Sequence, residues 1–168
     1  MTCLALTRNR PQWLPKAIQC YQSQTYRNRE LLIVASGQDV RNLIPNDRSI
    51  RLVHLNGKPD IGSARNIGCE RALGSVICTW DDDDYSAPDR IRDQVDRLVA
   101  SGKSVVAYGT LRFTDGRRWW LYSGMGKHAP GSSLMYRRDW WQDHPFPSKQ
   151  IGEDTTFITA ARVRNQIV

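Results

Sequence analysis

Four consecutive aspartates, Asp81 to Asp84, close the short apolar run Val76-Ile77-Cys78-Thr79-Trp80. The run is bounded by Gly74 behind and by acid ahead, which is the pattern of a buried strand. The carboxylates then sit at its C-terminal end, the end at which open α/β sheets bind ligands. Four adjacent like charges repel one another, and a divalent cation relieves that repulsion. Mg²⁺ and Mn²⁺ favour one or two carboxylates together with phosphate oxygens. The other reading is a solvated acidic turn that stops a strand. Residues 81–84 alone do not separate the two.

The flanking sequence alternates strands with helices. Thr2 to Thr7 reads as a first strand, closed by the polar turn Arg8-Asn9-Arg10-Pro11. Leu14, Ala17, Ile18 and Tyr21 recur at helical spacing, with Pro15 in the first turn, where a missing N–H costs little. Glu30 to Ala35 is a second strand around Leu31-Leu32-Ile33-Val34, and Ile50 to Leu55 is a third. Ser63 to Leu73 reads as a helix capped by Gly62 or Ser63 and stopped by Gly74. Arg65 and Asn66 then fall in its first turn, where free N–H groups and the dipole favour anions. Ser86-Ala87-Pro88-Asp89 has the cap, early proline and acid of a helix start. Ile91, Val95, Leu98 and Val99 form the buried stripe that follows.

Ser104 to Gly109 is a further strand, and Thr110 to Tyr122 is a hairpin turning at Thr114-Asp115-Gly116. Gly124 to Gly131 is a flexible glycine-rich loop, Ser132 to Tyr136 a strand, and Arg138 to Gln142 a short helix. Asp154 to Arg164 is the last helix, with Phe157, Ile158 and Ala161 on one face. This order predicts an α/β/α sandwich around a mostly parallel, Rossmann-like mixed sheet. The hairpin and later strands add antiparallel edges.

A chain of 168 residues suits a single domain. No apolar run approaches ~20 residues, so no transmembrane segment is expected. The N-terminus lacks the basic and long apolar regions of a signal peptide. Cys3, Cys20, Cys69 and Cys78 are not at metal-ligand spacing and read as reduced, mostly buried thiols, which predicts a cytoplasmic protein. The net charge of +7 points to nucleic acid, an acidic membrane surface or a phosphorylated substrate. The absence of a long Lys/Arg run weakens the first two.

Four segments, in order, resemble the nucleotide-sugar glycosyltransferases of the GT-A fold, and family 2 in particular. They are Thr7-Arg8-Asn9-Arg10-Pro11 with Glu30 to Val34 downstream; Ala64-Arg65-Asn66-Ile67-Gly68; Trp80 to Tyr85 with Pro88-Asp89-Arg90; and Gly152-Glu153-Asp154. The resemblance implies a single glycosyltransferase domain, with a donor half over residues 1–109 and an acceptor half over 110–168. It implies Asp83 as the direct contact of a divalent cation, Mn²⁺ or Mg²⁺, with Asp81 or Asp82 near the ribose or the metal's waters. Arg65 falls near the diphosphate. Thr7, Arg8, Asn9 and Ser36 fall where the first two strands meet the nucleotide. Asp154 falls at the general base for the acceptor hydroxyl, and Glu153 at the residue that orients the acceptor. The pair of aspartates usual after the family's second strand is replaced by Ala35 and Ser36.

The expected reaction is transfer of a sugar from a nucleotide-diphosphate sugar, UDP-sugar favoured, to a hydroxyl, with inversion. The acceptor is left open among glycan, lipid-linked, protein and nucleic acid, and the chain is expected as a monomer or weak dimer. Trp119, Trp120 and Trp140 are candidate acceptor platforms. One of Trp119 and Trp120 is expected in the core and the other free, and likewise for Trp140 and Trp141. Two further readings stand beside this one. A nucleotidyltransferase also uses acidic metal sites, but needs a glycine-rich loop that Thr7 to Pro11 lacks. A basic nucleic-acid-binding module suits the charge but leaves the four aspartates unexplained.

Overall fold

A computed structural model describes residues 1–124 and 128–168. Met125, Gly126 and Lys127, within the glycine-rich segment expected as a loop, lie outside the described residues. The elements run β1 (Thr2–Arg8), α1 (Leu14–Gln22), β2 (Glu30–Ser36), β3 (Ile50–Leu55), α2 (Ile61–Arg71), β4 (Val76–Thr79), α3 (Arg90–Ser101), β5 (Val105–Val106), β6 (Thr110–Thr114), β7 (Trp119–Ser123), β8 (Met135–Arg137), α4 (Arg138–Asp143) and α5 (Glu153–Val163).

Strands β3-β2-β1-β4-β8-β5 form one sheet in that order. The first four are parallel, and β8 runs antiparallel to both of its neighbours. Alternate residues feed two cores. Cys3, Ala5, Leu31 and Ile33 pack with Leu14, Ile18 and Tyr21 of α1 and Ile91 and Leu98 of α3. Leu4, Leu32 and Val34 pack with Cys69 of α2, Trp140 and Trp141 of α4, and Phe157 and Ile158 of α5. Coverage of both faces explains the continuous apolar run Leu31 to Val34, since neither side of a doubly covered strand meets water. The fold is the expected α/β/α sandwich. All four cysteines are free and buried. Among the described residues, no helix is long and apolar enough to cross a membrane.

Three local expectations are corrected. The hairpin β6–β7 is not an edge of the main sheet but a two-stranded sheet of its own; the antiparallel strand within the main sheet is β8. Helix α2 starts two residues earlier than its pattern suggests, because Asp60 caps it, its Oδ1 accepting the Ser63 N–H at 2.8 Å. Arg65 therefore lies past the first turn, among hydrogen-bonded amides. Helix α3 starts at Arg90 without a cap from Ser86 or Asp89. Its early amide Ile91 N–H donates instead to Gln24 Oε1 at 3.1 Å. In its stripe Val99 is exposed, and Gln94 is buried because Gln94 Nε2 donates to Ser133 O at 2.6 Å.

Candidate functional site

The chain leaves β1 toward β2 and β3 on one side and returns to β4 on the other, so β1 and β4 flank the point where strand order reverses. In an open sheet the crevice outside that point is the ligand site. A cleft of about 470 Å³ opens there, lined by Thr7 and Arg8 at the end of β1, Ser36 at the end of β2, Arg65 of α2, and Asp81 and Asp83 beyond β4. The parallel strands bring their C-terminal ends to one edge, which is why residues so far apart in sequence share one wall. Arg10 lines the same cleft. It donates to Asp82 at 2.5 Å and to Asp83 at 2.9 Å, and it is the residue that the sequence reading passed over.

The four aspartates are not equivalent. Asp82 turns inward, its side chain fully buried against Arg10, and does not line the cleft. Asp83 is half-exposed. Burial pushes the Asp82 carboxyl up, with Arg10 opposing. Burial likewise raises Asp81, with Arg65 opposing and Asp83 adding to the rise. Burial and then Asp81 raise Asp84. The crowded carboxylates thus resist full ionisation side by side.

Trp80 anchors the loop that carries them. It is buried, with its Nε1–H donating to Ala17 O at 3.0 Å, and the Arg90 guanidinium lies over its ring. Arg90 also donates to Thr79 O at 2.9 Å and to Ser132 O at 2.6 Å. It ties the end of β4 to the segment before β8.

Asn9 does not face the cleft. Its backbone is left-handed (φ 52°), and its Oδ1 accepts the Gln38 N–H at 2.9 Å. That contact holds the turn after β2, where Gly37 also has positive φ (80°) and a Cβ would overlap the Asn9 side chain. Asn9 positions the cleft wall rather than lining it.

An open groove of about 1760 Å³ lies beside the cleft, between the hairpin and the body. Asp83 lines both spaces. Asp154, Trp119 and Trp120 line the groove. The side chain of Asp154 packs against Gly131, where a Cβ would overlap Asp154 Oδ2. Glu153 points the other way, because neighbouring residues on a helix diverge by about 100°. It is buried and pairs with Arg65 at 3.3 Å. Burial raises its carboxyl and Arg65 opposes the rise. Glu153 is therefore not placed to touch an acceptor in the groove; it holds Arg65, whose Nε is buried without a hydrogen-bond partner.

The tryptophan expectation is corrected in both halves. Trp119 and Trp120 are both exposed, at 72% and 41%, because the hairpin has no second layer against it. Trp140 and Trp141 are both buried. Trp140 stacks on His144 at 3.8 Å between centroids, and Trp141 Nε1–H donates to Asn66 Oδ1 at 2.9 Å. Trp140 is core, not a platform.

A hard divalent ion suits the donor set, since Asp81 and Asp83 offer carboxylate oxygens beside a cleft lined by arginines, and Asp82 Oδ2 is buried without a partner. Among the described residues no three His, Cys, Asp or Glu side chains converge as a cage. The fit is to an ion held by one or two carboxylates and a ligand's phosphates.

The sequence profile of glycosyl transferase family 2 matches residues 3–157. An uncharacterized glycosyltransferase of Haemophilus influenzae is 28% identical over 109 residues, covering 61% of this chain and 43% of that protein. The chain superposes on TarS 1–349 of S. aureus, solved in complex with UDP, with a TM-score of 0.78 at 18% identity, covering 99% of this chain and 56% of that one. It superposes equally well, at 16% identity, on a mannosyltransferase of Pyrobaculum calidifontis in complex with GDP-Man and Mn²⁺, covering 99% of this chain and 53% of that one. The chain thus spans about half the length of these relatives. The structural likeness establishes the GT-A fold, and with a profile that covers nearly all of its residues, the chain belongs to glycosyl transferase family 2.

Proposed function

We propose that this chain is the catalytic domain of a metal-dependent, inverting glycosyltransferase. It takes a nucleotide-diphosphate sugar, with a UDP-sugar favoured, and transfers the sugar to an acceptor hydroxyl. The observation that carries the reading is that Asp83 lines both the arginine-bearing cleft and the groove that holds Asp154. A diphosphate in the cleft would put its departing oxygen near the shared rim. The nucleotides in the two superposed structures, UDP in one and GDP-Man with Mn²⁺ in the other, support the donor class. On this reading residues 1–109 form the donor half and 110–168 the acceptor half.

Asp83 and Asp81 would hold Mn²⁺ or Mg²⁺. When bound, the ion supplies positive charge against the developing diphosphate. Arg8 and Arg65 grip phosphate oxygens, for which the guanidinium fork is suited. Glu153 keeps Arg65 in place. Asp154 accepts the proton of the acceptor hydroxyl. The hydroxyl oxygen bonds to the anomeric carbon as the bond to the diphosphate oxygen breaks, and its electron pair leaves with the nucleotide. One displacement inverts the anomeric centre.

The test is calorimetric titration of UDP and GDP, each with and without Mn²⁺, against the wild type, Asp83→Ala and Asp154→Ala. Binding of one nucleotide that needs Mn²⁺ and is lost in Asp83→Ala is expected. Asp154→Ala should keep that binding and lose transfer. Binding of neither nucleotide to the wild type, or normal transfer by Asp154→Ala, overturns the assignment.

A further inference from the structure

The hairpin β6–β7 stands apart from the main sheet, and a lone two-stranded ribbon is marginal in water. Its register pairs Phe113 with Trp120, Arg112 with Leu121 and Thr114 with Trp119, next to the turn. Directly opposed residues share a face, so Trp119, Leu121 and Arg112 lie on one face of the ribbon and Phe113 and Trp120 on the other. Trp119 and Leu121 are 72% and 65% exposed. An exposed apolar pair of this kind on a projecting element marks an interaction site.

The turn itself is built to throw its charges outward. Asp115 Oδ1 accepts the Arg117 and Arg118 N–H groups, both at 2.8 Å. Thr114 Oγ1 donates to Arg118 O at 2.6 Å and accepts from Gly116 N at 2.9 Å. The one carboxylate of the tip is thus engaged by backbone. Arg112, Arg117 and Arg118 are exposed and make no ion pair among the described residues.

We propose that this hairpin docks the domain on an anionic lipid surface, with Trp119 and Leu121 entering the interface and Arg112, Arg117 and Arg118 meeting headgroup phosphates. Tryptophan settles at the headgroup boundary, where its ring is buried and its N–H stays wet. Basic residues beside it add attraction to anionic lipid. A nucleic-acid strand fits less well. Phe113 already stacks on Trp120 at 5.4 Å, which removes one face of each ring from base stacking. Asp83, Asp84 and Asp154 line the groove under the hairpin and would repel a polyanion laid through it. A lipid surface would meet the Trp119–Leu121 face of the hairpin and need not enter the groove, which these residues also border. The docking does not depend on the transfer reaction. Resting on that reading, it would bring the Asp154 groove to hydroxyls carried at the surface.

The test is co-sedimentation with vesicles of phosphatidylcholine alone and of phosphatidylcholine with phosphatidylglycerol, read together with tryptophan emission. The wild type should partition onto the anionic vesicles, with a blue shift, and less so in high salt. Arg117→Ala and Arg118→Ala should each weaken partitioning about fivefold, and Trp119→Ala with Leu121→Ala should weaken it at least about tenfold. Circular dichroism checks that each variant is folded, and the arginine variants leave the apolar pairs intact. Partitioning that is absent in the wild type, or unchanged in both sets of variants, overturns the proposal. So does a dimer in sedimentation equilibrium that Trp119→Ala dissolves, since the patch would then be an interface between copies.

Discussion

Arg65 and Glu153 meet 3.3 Å apart with both side chains buried, joining the middle of α2 to the first residue of α5. Arg65 lines the cleft, and the residue after Glu153 is Asp154 in the groove. The ion pair thus ties the two spaces together, beside the hydrogen bonds that Asn66 of α2 exchanges with the backbone of Phe146.

Breaking that pair removes the buried partner of Arg65. Glu153→Ala should lower stability by about 1–3 kcal/mol, because Arg65 loses the Glu153 carboxylate and keeps only Asp81 and the cleft beside it. Urea unfolding of the wild type and variant measures this. Glu153→Gln keeps the shape and should cost less. A shift under about 1 kcal/mol for Glu153→Ala would show that Arg65 finds another partner.

Gly131→Ala tests how Asp154 is placed. A Cβ at Gly131 overlaps the Asp154 carboxylate, so the side chain must rotate away. The fold should persist, nucleotide binding should be unchanged, and turnover should fall by about 100-fold, the penalty of a reacting group displaced by ~1 Å. Turnover at the wild-type level would mean that Asp154 works from another position.

Acid sensitivity should come from the opposite end of the sheet. Glu30 Oε1 accepts from Thr2 Oγ1 and Leu73 N, each at 2.6 Å, and its Oε2 accepts from Arg51 Nη1 at 2.8 Å. Burial acts to raise the carboxyl, yet the Thr2, Arg51 and Leu73 hydrogen bonds outweigh it and hold Glu30 below its ordinary value. A lowered folded pKa contributes stability that is present above the unfolded value and lost as pH falls through the folded one. Stability should therefore drop as pH falls below about 4.3. Glu30→Gln should flatten that part of the curve of stability against pH. An unchanged slope in the variant would place the acid-sensitive group elsewhere.

The two tryptophan pairs should separate cleanly. Trp140→Ala empties a packed site beside His144 and should cost about 3–5 kcal/mol. Trp119→Ala removes an exposed ring and should change stability by no more than about 0.5 kcal/mol. Thermal unfolding of the two variants gives the comparison. Equal effects would mean that the hairpin folds down on the body in solution.

Most of the architecture was legible in local pattern. The run Leu31 to Val34, the spacing of Leu14 to Tyr21 and the acids after Trp80 each depend on residues close in sequence, and each corresponds to its element. One error was local, the Asp60 cap that starts α2 early; the others fall where a distant group intervened. Val99 lies within the apolar spacing of α3, but the stripe is set by what packs on it, and Gln94 wins because Ser133 satisfies it. The Ser86 cap was displaced by Gln24, 67 residues from the amide it receives. The exposure of Trp119 followed from a hairpin without a covering layer, which alternation along a strand does not encode.

The sequence by itself determined the order of strands and helices, the core run Leu31 to Val34, and the arrival of carboxylates at the end of β4, because these rest on periodicity and chain connectivity. Only the tertiary structure decided which carboxylates are free. Arg10 reaches Asp82 across 72 residues and draws it into the interior, and Arg65 turns Glu153 inward while Asp154 faces the groove. The physical reason is that a charge is committed or available according to what neutralises it in space, and long-range packing, not local pattern, chooses that partner.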